Sequence, residues 1–154
     1  MNIFITVGTT KFTELIREVD DFSRLDECKD FNFFCQTSDD TYLPEMPNEN
    51  FIENIEDYYQ WADLVITHAG AGSIYRLLEM EKKIIIVPNL SRVDKHQSDI
   101  AKFMEEGRYA LVVWDLSLLS EIISISNCFI PKKYHVDRFF KAKEIVNFID
   151  SVCF

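Results

Sequence analysis

Five short apolar runs, rich in β-branched residues and phenylalanine, recur along the chain with helix-like stretches between them. They are "NIFITV" (2–7), "FNFFCQ" (31–36), "DLVIT" (63–67), "KIIIVP" (83–88) and "YALVVW" (109–114). A strand that is apolar at nearly every position has no face for water, so it has to be covered on both sides. Such strands, alternating with amphipathic stretches, fold as a parallel sheet with helices above and below. The pattern predicts one α/β domain over 1–154: a Rossmann-like parallel sheet of about six strands with helices on both faces. The sixth strand is the shorter run "FIENI" (51–55), which leads into a turn. Helices are expected over 13–25, 56–62, 72–81, 94–107, 116–125 and 136–152, with Gly107 capping the fourth. The stretch 36–50, with two prolines and several turn formers, reads as a loop.

A chain of 154 residues that is 47% hydrophobic can bury a core of its own. Its net charge of −10 argues against non-specific nucleic-acid binding and against docking of the whole surface on anionic lipid. An anion has to be held here by local geometry. The four cysteines (Cys28, Cys35, Cys128, Cys153) show no CxxC spacing and no metal-ligand pattern with the three histidines. Free thiols in a reducing cytosol are the expectation. The segment before Gly8 lacks the basic start of a signal peptide, and no apolar run nears the ~20 residues of a membrane span. A soluble, cytoplasmic chain follows as an expectation.

In open α/β sheets, ligands gather where the carboxyl ends of strands lead into helices. Three such junctions are polar or glycine-rich: "GTTK" (8–11), "HAGAGS" (68–73) and "NLSRVDKHQ" (89–97). A helix start offers unpaired N–H groups and the positive end of the helix dipole, which suit a diphosphate. Gly70 and Gly72 let backbone approach oxygen atoms without a Cβ in the way. A tight structural turn needs small residues too, and Ser73 can cap the helix or donate to phosphate. A dinucleotide fingerprint fits poorly, because Tyr75 stands where G-x-G-x-x-G needs its third glycine. In the third junction Asp94 is a good N-cap and Gln97 can complete a capping box. Gln97 and His96, with Asn89 and Arg92 nearby, also offer donors to sugar hydroxyls or phosphate. The pairs Asp20–Asp21 and Asp39–Asp40 lie in solvated stretches and read as surface charge, so no metal is expected.

The segments "VGTTKFTELI", "NFIENIEDYYQWADLVITHAGAGSI" and "VPNLSRVDKHQSDIAKFMEEG", in that order and spacing, resemble glycosyltransferase family 28 over roughly residues 1–113. They are most similar to its stand-alone C-terminal-type domains. Among these are the soluble subunit of the two-part UDP-GlcNAc transferase of the dolichol pathway and the PssE-like bacterial exopolysaccharide and capsule subunits. The resemblance implies the nucleotide-sugar half of a GT-B glycosyltransferase, with a UDP-sugar as donor substrate and no other cofactor. It implies that His68, Ala69, Gly70, Ala71, Gly72 and Ser73 hold the donor diphosphate, and that Phe51, Ile52 and Ile55 flank the uracil. Asn89, His96 and Gln97 then approach the donor sugar, and Gly8, Thr9 and Thr10 form a loop facing the cleft.

Arg76 stands where relatives carry a glutamate for the ribose hydroxyls, four residues and ~6 Å along the helix from Gly72. It is kept as a ribose-site candidate. "EKK" (81–83) replaces a common "GKP", and Thr13 replaces an aspartate. A complete GT-B enzyme has two such halves, and this chain has room for one. No side chain stands out as the base that inverting transfer requires. The resemblance therefore implies a membrane-anchored partner subunit that supplies the base and the lipid-linked glycan acceptor, bringing this chain to the inner face of the membrane. The competing possibility is a non-catalytic module that stabilises or activates that partner. The last predicted helix carries a wide apolar face (Val136, Phe139, Phe140, Ile145, Val146, Ile149, Val152) that can pack on its own sheet or on the partner.

Overall fold

The computed structural model describes residues 1–38, 42–91, 96–135 and 142–153. The strands are β1 (Asn2–Thr6), β2 (Asn32–Gln36), β3 (Asn48–Glu49), β4 (Leu64–His68), β5 (Lys83–Val87) and β6 (Leu111–Val112). They form a single parallel sheet in the order β3-β2-β1-β4-β5-β6. The helices are α1 (Thr13–Ser23), α2 (Ile55–Trp61), α3 (Ala71–Glu79), α4 (His96–Glu106), α5 (Leu119–Ile125) and α6 (Ala142–Cys153). This is the doubly wound α/β architecture expected from the apolar runs.

The period-2 alternation of each strand explains the two layers. Ile3, Ile5, Leu64, Ile66, Ile85 and Val87 point to one face, where α1 (Leu15, Ile16, Val19) and α5 (Leu119, Ile123) cover them. Phe4, Val65, Ile84 and Ile86 point to the other, under α2 (Tyr59), α3 (Ile74, Leu77) and α4 (Ala101, Met104). The chain winds outward in one direction from β1 to β3 and in the other from β4 to β6. The reversal falls between the adjacent strands β1 and β4, where Thr6 lies beside Thr67.

Two expectations shift. The edge strand is at Asn48–Glu49, upstream of "FIENI". The amides of Cys35 and Thr37 donate to the carbonyls of Pro47 and Glu49, both at 2.9 Å, which sets the register before Phe51 is reached. Pro47 has no N–H to give but accepts well at an edge. Gly107 does end α4, yet the left-handed residue after it is Arg108, at φ 55°. Tyr109 N–H reaches back to the Met104 carbonyl at 2.9 Å, and Arg108 N–H to that of Glu105 at 2.9 Å. Gly107 is needed for space instead, since a Cβ there would stand 2.2 Å from the Tyr109 ring.

In α6 the side chains of Ile145, Val146, Phe148 and Ile149 are 46–67% exposed and belong to neither core. The expected helix start, with Val136, Phe139 and Phe140, lies outside the described residues. Among the described residues, no helix is long and apolar enough to cross a membrane.

Candidate functional site

The loops after β1, β4 and β5 lie side by side along the carboxyl edge of the sheet, because their strands are neighbours. After β4 the chain turns sharply, and Gly70 N–H donates to the His68 carbonyl at 2.8 Å. Helix α3 then begins at Ala71 with Gly70 as its N-cap and no side-chain capping bond. Ile74 N–H to the Gly70 carbonyl, at 3.1 Å, is the first helical bond. The amides of Ala71, Gly72 and Ser73 therefore have no acceptor within the helix, at the end where its dipole is positive. Ala71 and Gly72 are exposed. Among the described residues, no atom beyond the adjoining residues and the helix's own backbone lies within 4 Å of the point where a Gly72 Cβ would stand. The packing of this chain does not demand a glycine there.

Ser73 does not cap α3. Its side chain lies beside the hydroxyl of Tyr59, a buried residue of α2. Burial raises the Tyr59 pKa above the usual tyrosine value against the opposing effect of the Ser73 side chain, so the phenol stays neutral. Ala69 and His68 are both buried at the end of β4.

The β1 loop is tight. Gly8 takes a left-handed φ of 59°, and Thr10 N–H donates to the Val7 carbonyl at 3.1 Å. Gly8 N–H donates to the Thr6 hydroxyl at 3.1 Å, and that hydroxyl donates to Gln36 Oε1 at 2.7 Å. Thr9 is exposed and Thr10 half-buried. The loop is thus anchored from below to the end of β1 and, through Thr6, to β2, with Thr9 at its outer face.

At the β5 end, Gln97 Oε1 accepts the Asn89 N–H at 2.9 Å. Asn89 is buried, and its Oδ1 accepts from the amide and the hydroxyl of Ser91 at 3.1 and 2.6 Å. Gln97 thus clips the strand end to α4, where the sequence suggested a capping box. His96 is the exposed first residue of α4. Asp94 and Arg92 lie outside the described residues. An open cavity of about 460 Å³ adjoins this loop, lined by Phe12, Asn89, Leu90, Trp114 and Leu116 among others.

Three base-pocket candidates separate in space. Phe51 is 69% exposed, Ile52 is buried in the α2–α4 core, and Ile55 packs against that core part-exposed. Arg76 is bound to the Glu56 carboxylate at 2.6 and 2.8 Å and to Glu79 at 3.4 Å. The hydrogen bond and charge of Glu56, then of Glu79, hold the Arg76 guanidinium pKa above its ordinary value. Glu56 and Tyr59 were not anticipated. They lie three residues apart on α2, hence on one helix face, and that spacing was the available signal. Among the described residues, no group of three or more His, Cys, Asp or Glu side chains is placed to hold a metal ion.

Residues 2–134 match the Glycosyltransferase family 28 C-terminal domain. The chain is 34% identical over 111 residues to human UDP-N-acetylglucosamine transferase subunit ALG13, covering 65% of this chain and 10% of that protein. It therefore spans about a tenth of that relative's length. In fold it is similar to MurG of Acinetobacter baumannii, with a TM-score of 0.72 and 20% identity over 98% of this chain and 52% of that one. It is also similar in fold to the solution structure of ALG13, with a TM-score of 0.59 and 19% identity over 94% of each chain.

Proposed function

The chain belongs to glycosyltransferase family 28, and from that premise we propose that it is the UDP-sugar-binding subunit of a two-component inverting glycosyltransferase. The acceptor is a polyprenyl-linked glycan of bacterial capsule, exopolysaccharide or O-antigen synthesis, carried by a membrane-anchored partner at the inner face of the membrane. The observation that carries the reading is the uncapped start of α3, with Gly72 open to solvent. Two oxygens of a diphosphate accept from the amides of Ala71, Gly72 and Ser73, without a metal. Phe51 is the base-stacking candidate, and Asn89, His96 and Gln97 border the donor sugar. The similarity to a protein named as a transferase subunit, and to about half of a MurG chain, supports a second subunit.

In the reaction, an acceptor hydroxyl attacks the anomeric carbon as the bond to the diphosphate breaks. UDP leaves with the bonding electron pair, and the hydroxyl proton passes to a base on the partner. This chain's contribution is electrostatic. Fixed amides and a helix dipole meet the charge that grows on the leaving diphosphate, at no cost of reorganisation.

Isothermal titration of the chain, alone and with its partner, against UDP tests this. Binding is expected in at least the complex, and Gly72→Val should abolish it while leaving the melting temperature near wild type, because the new side chain enters open space. Absence of UDP binding in both preparations would favour the second reading, an activating module that holds no donor.

A further inference from the structure

Glycines stand at positions 8, 70 and 72 of the cleft, but they do not do the same thing. Gly72 faces open space, whereas Gly8 and Gly70 both face the imidazole of His68. A Cβ at Gly70 would lie 2.6 Å from His68 Nε2 and 2.9 Å from Cε1. One at Gly8 would lie 3.2 Å from the same Cε1. A single ring edge therefore fills the room left by two missing side chains, on loops that follow different strands. His68 is 8% exposed and is the last residue of β4, beside β1 at the point where the strand order reverses.

We propose that His68 is a positioning residue: a flat wedge that sets the separation of the β1 loop and the β4–α3 turn. This rests on the diphosphate reading above, and it departs from a direct phosphate contact for His68. The turn is short enough to transmit the effect. Gly70 is N-bonded to the His68 carbonyl and caps α3, so the amides of Ala71, Gly72 and Ser73 follow wherever the ring lets Gly70 sit. On the other side, Gly8 is held from beneath by the Thr6 hydroxyl, so the ring meets a fixed stop. A thinner side chain lets the turn relax toward β1. A methyl on Gly70 pushes it away from the ring.

A double-mutant cycle on the full chain, read by melting temperature and by UDP titration, tests the wedge. Gly70→Ala alone and His68→Ala alone are each expected to lower the melting temperature and to weaken UDP by about tenfold or more, as small misplacements of binding groups do. In the His68→Ala background, Gly70→Ala should cost little further in either measure, because the ring it struck is gone. Additive losses would overturn the wedge. Ile123→Val, in the core between α5 and the sheet and outside the three loops, provides a destabilised control whose UDP affinity should stay at the wild-type value. A His68→Ala protein that loses stability as that control does, with unchanged UDP affinity, would overturn the positioning role. His68→Asn takes the place of the alanine variant in the same cycle if that variant does not fold. A wild-type protein that ignores UDP overturns the diphosphate reading but not the wedge, which the melting-temperature cycle then decides alone.

Discussion

At the scale of single residues, two helix ends carry strain. Glu81 and Arg108 both sit at a left-handed φ of 55° just past α3 and α4. In each case the next amide, of Lys82 or Tyr109, reaches back to the Leu77 or Met104 carbonyl at 2.9 Å. That position favours glycine, since other residues crowd their Cβ there. The glutamate of "EKK" stands where the family resemblance implies the glycine of "GKP". Arg108→Gly should therefore raise stability by ~1 kcal/mol, visible as an upward shift of the urea midpoint. The lysines of the same motif are committed as well. Lys82 Nζ donates to the Gln60 and Ala62 carbonyls at 2.9 and 3.0 Å, closing the end of α2, and Lys83 Nζ donates to Ser126 at 2.7 Å. The presence of a glycine-rich junction was legible in "HAGAGS", but which glycine faces open space and which faces a side chain was not. That depends on where the His68 ring lies, and spacing along a chain does not specify a rotamer or a contact to Gly8 sixty residues earlier.

At the scale of elements, the long β2–β3 connection is pinned by one buried carboxylate. Asp20 of α1 accepts from the Tyr42 hydroxyl at 2.6 Å and from the amides of Glu45 and Met46 at 2.9 and 3.1 Å, with Arg24 at 3.5 Å. Burial pushes its pKa up, but the bonds from Tyr42, Met46 and Glu45 and the charge of Arg24 outweigh that, and the pKa falls below the ordinary 3.8. Asp20→Ala should cost ~2–4 kcal/mol at neutral pH, because it leaves buried donors unmet. The depressed folded pKa gives the sign: the contribution is complete above the unfolded carboxylate value and lost as pH falls through the lower folded one. Urea unfolding of the two proteins should thus differ at pH 7 and converge in strong acid. The sequence reading of Asp20–Asp21 as surface charge holds for Asp21, which is 67% exposed, and fails for Asp20, which is fully buried. Adjacent helical residues point about 100° apart, so one member of such a pair can face the core. The strands were legible because a doubly covered strand must be apolar throughout. The two-residue β3 was not, since its pairing is carried by backbone groups of Pro47 and Glu49.

At the scale of the whole molecule, two apolar layers account for the sheet and five helices, and the exposed side chains of α6 stand outside both. Removing residues 136–154 should leave the melting temperature within a few degrees of wild type while abolishing co-purification with the proposed membrane partner. A truncated chain that still captures the partner would exclude α6 from that interface. The central pairing of the sheet also bears on how the protein is made. Ile3 and Phe4 lie beside Leu64 and Val65, so β1 leaves the ribosome well before β4 and waits for it before its inner edge is covered. Until then a row of unpaired backbone groups stands open on an apolar strand, ready to template aggregation. Nascent chains stalled before residue 68 should accordingly depend on chaperones in a way that longer ones do not.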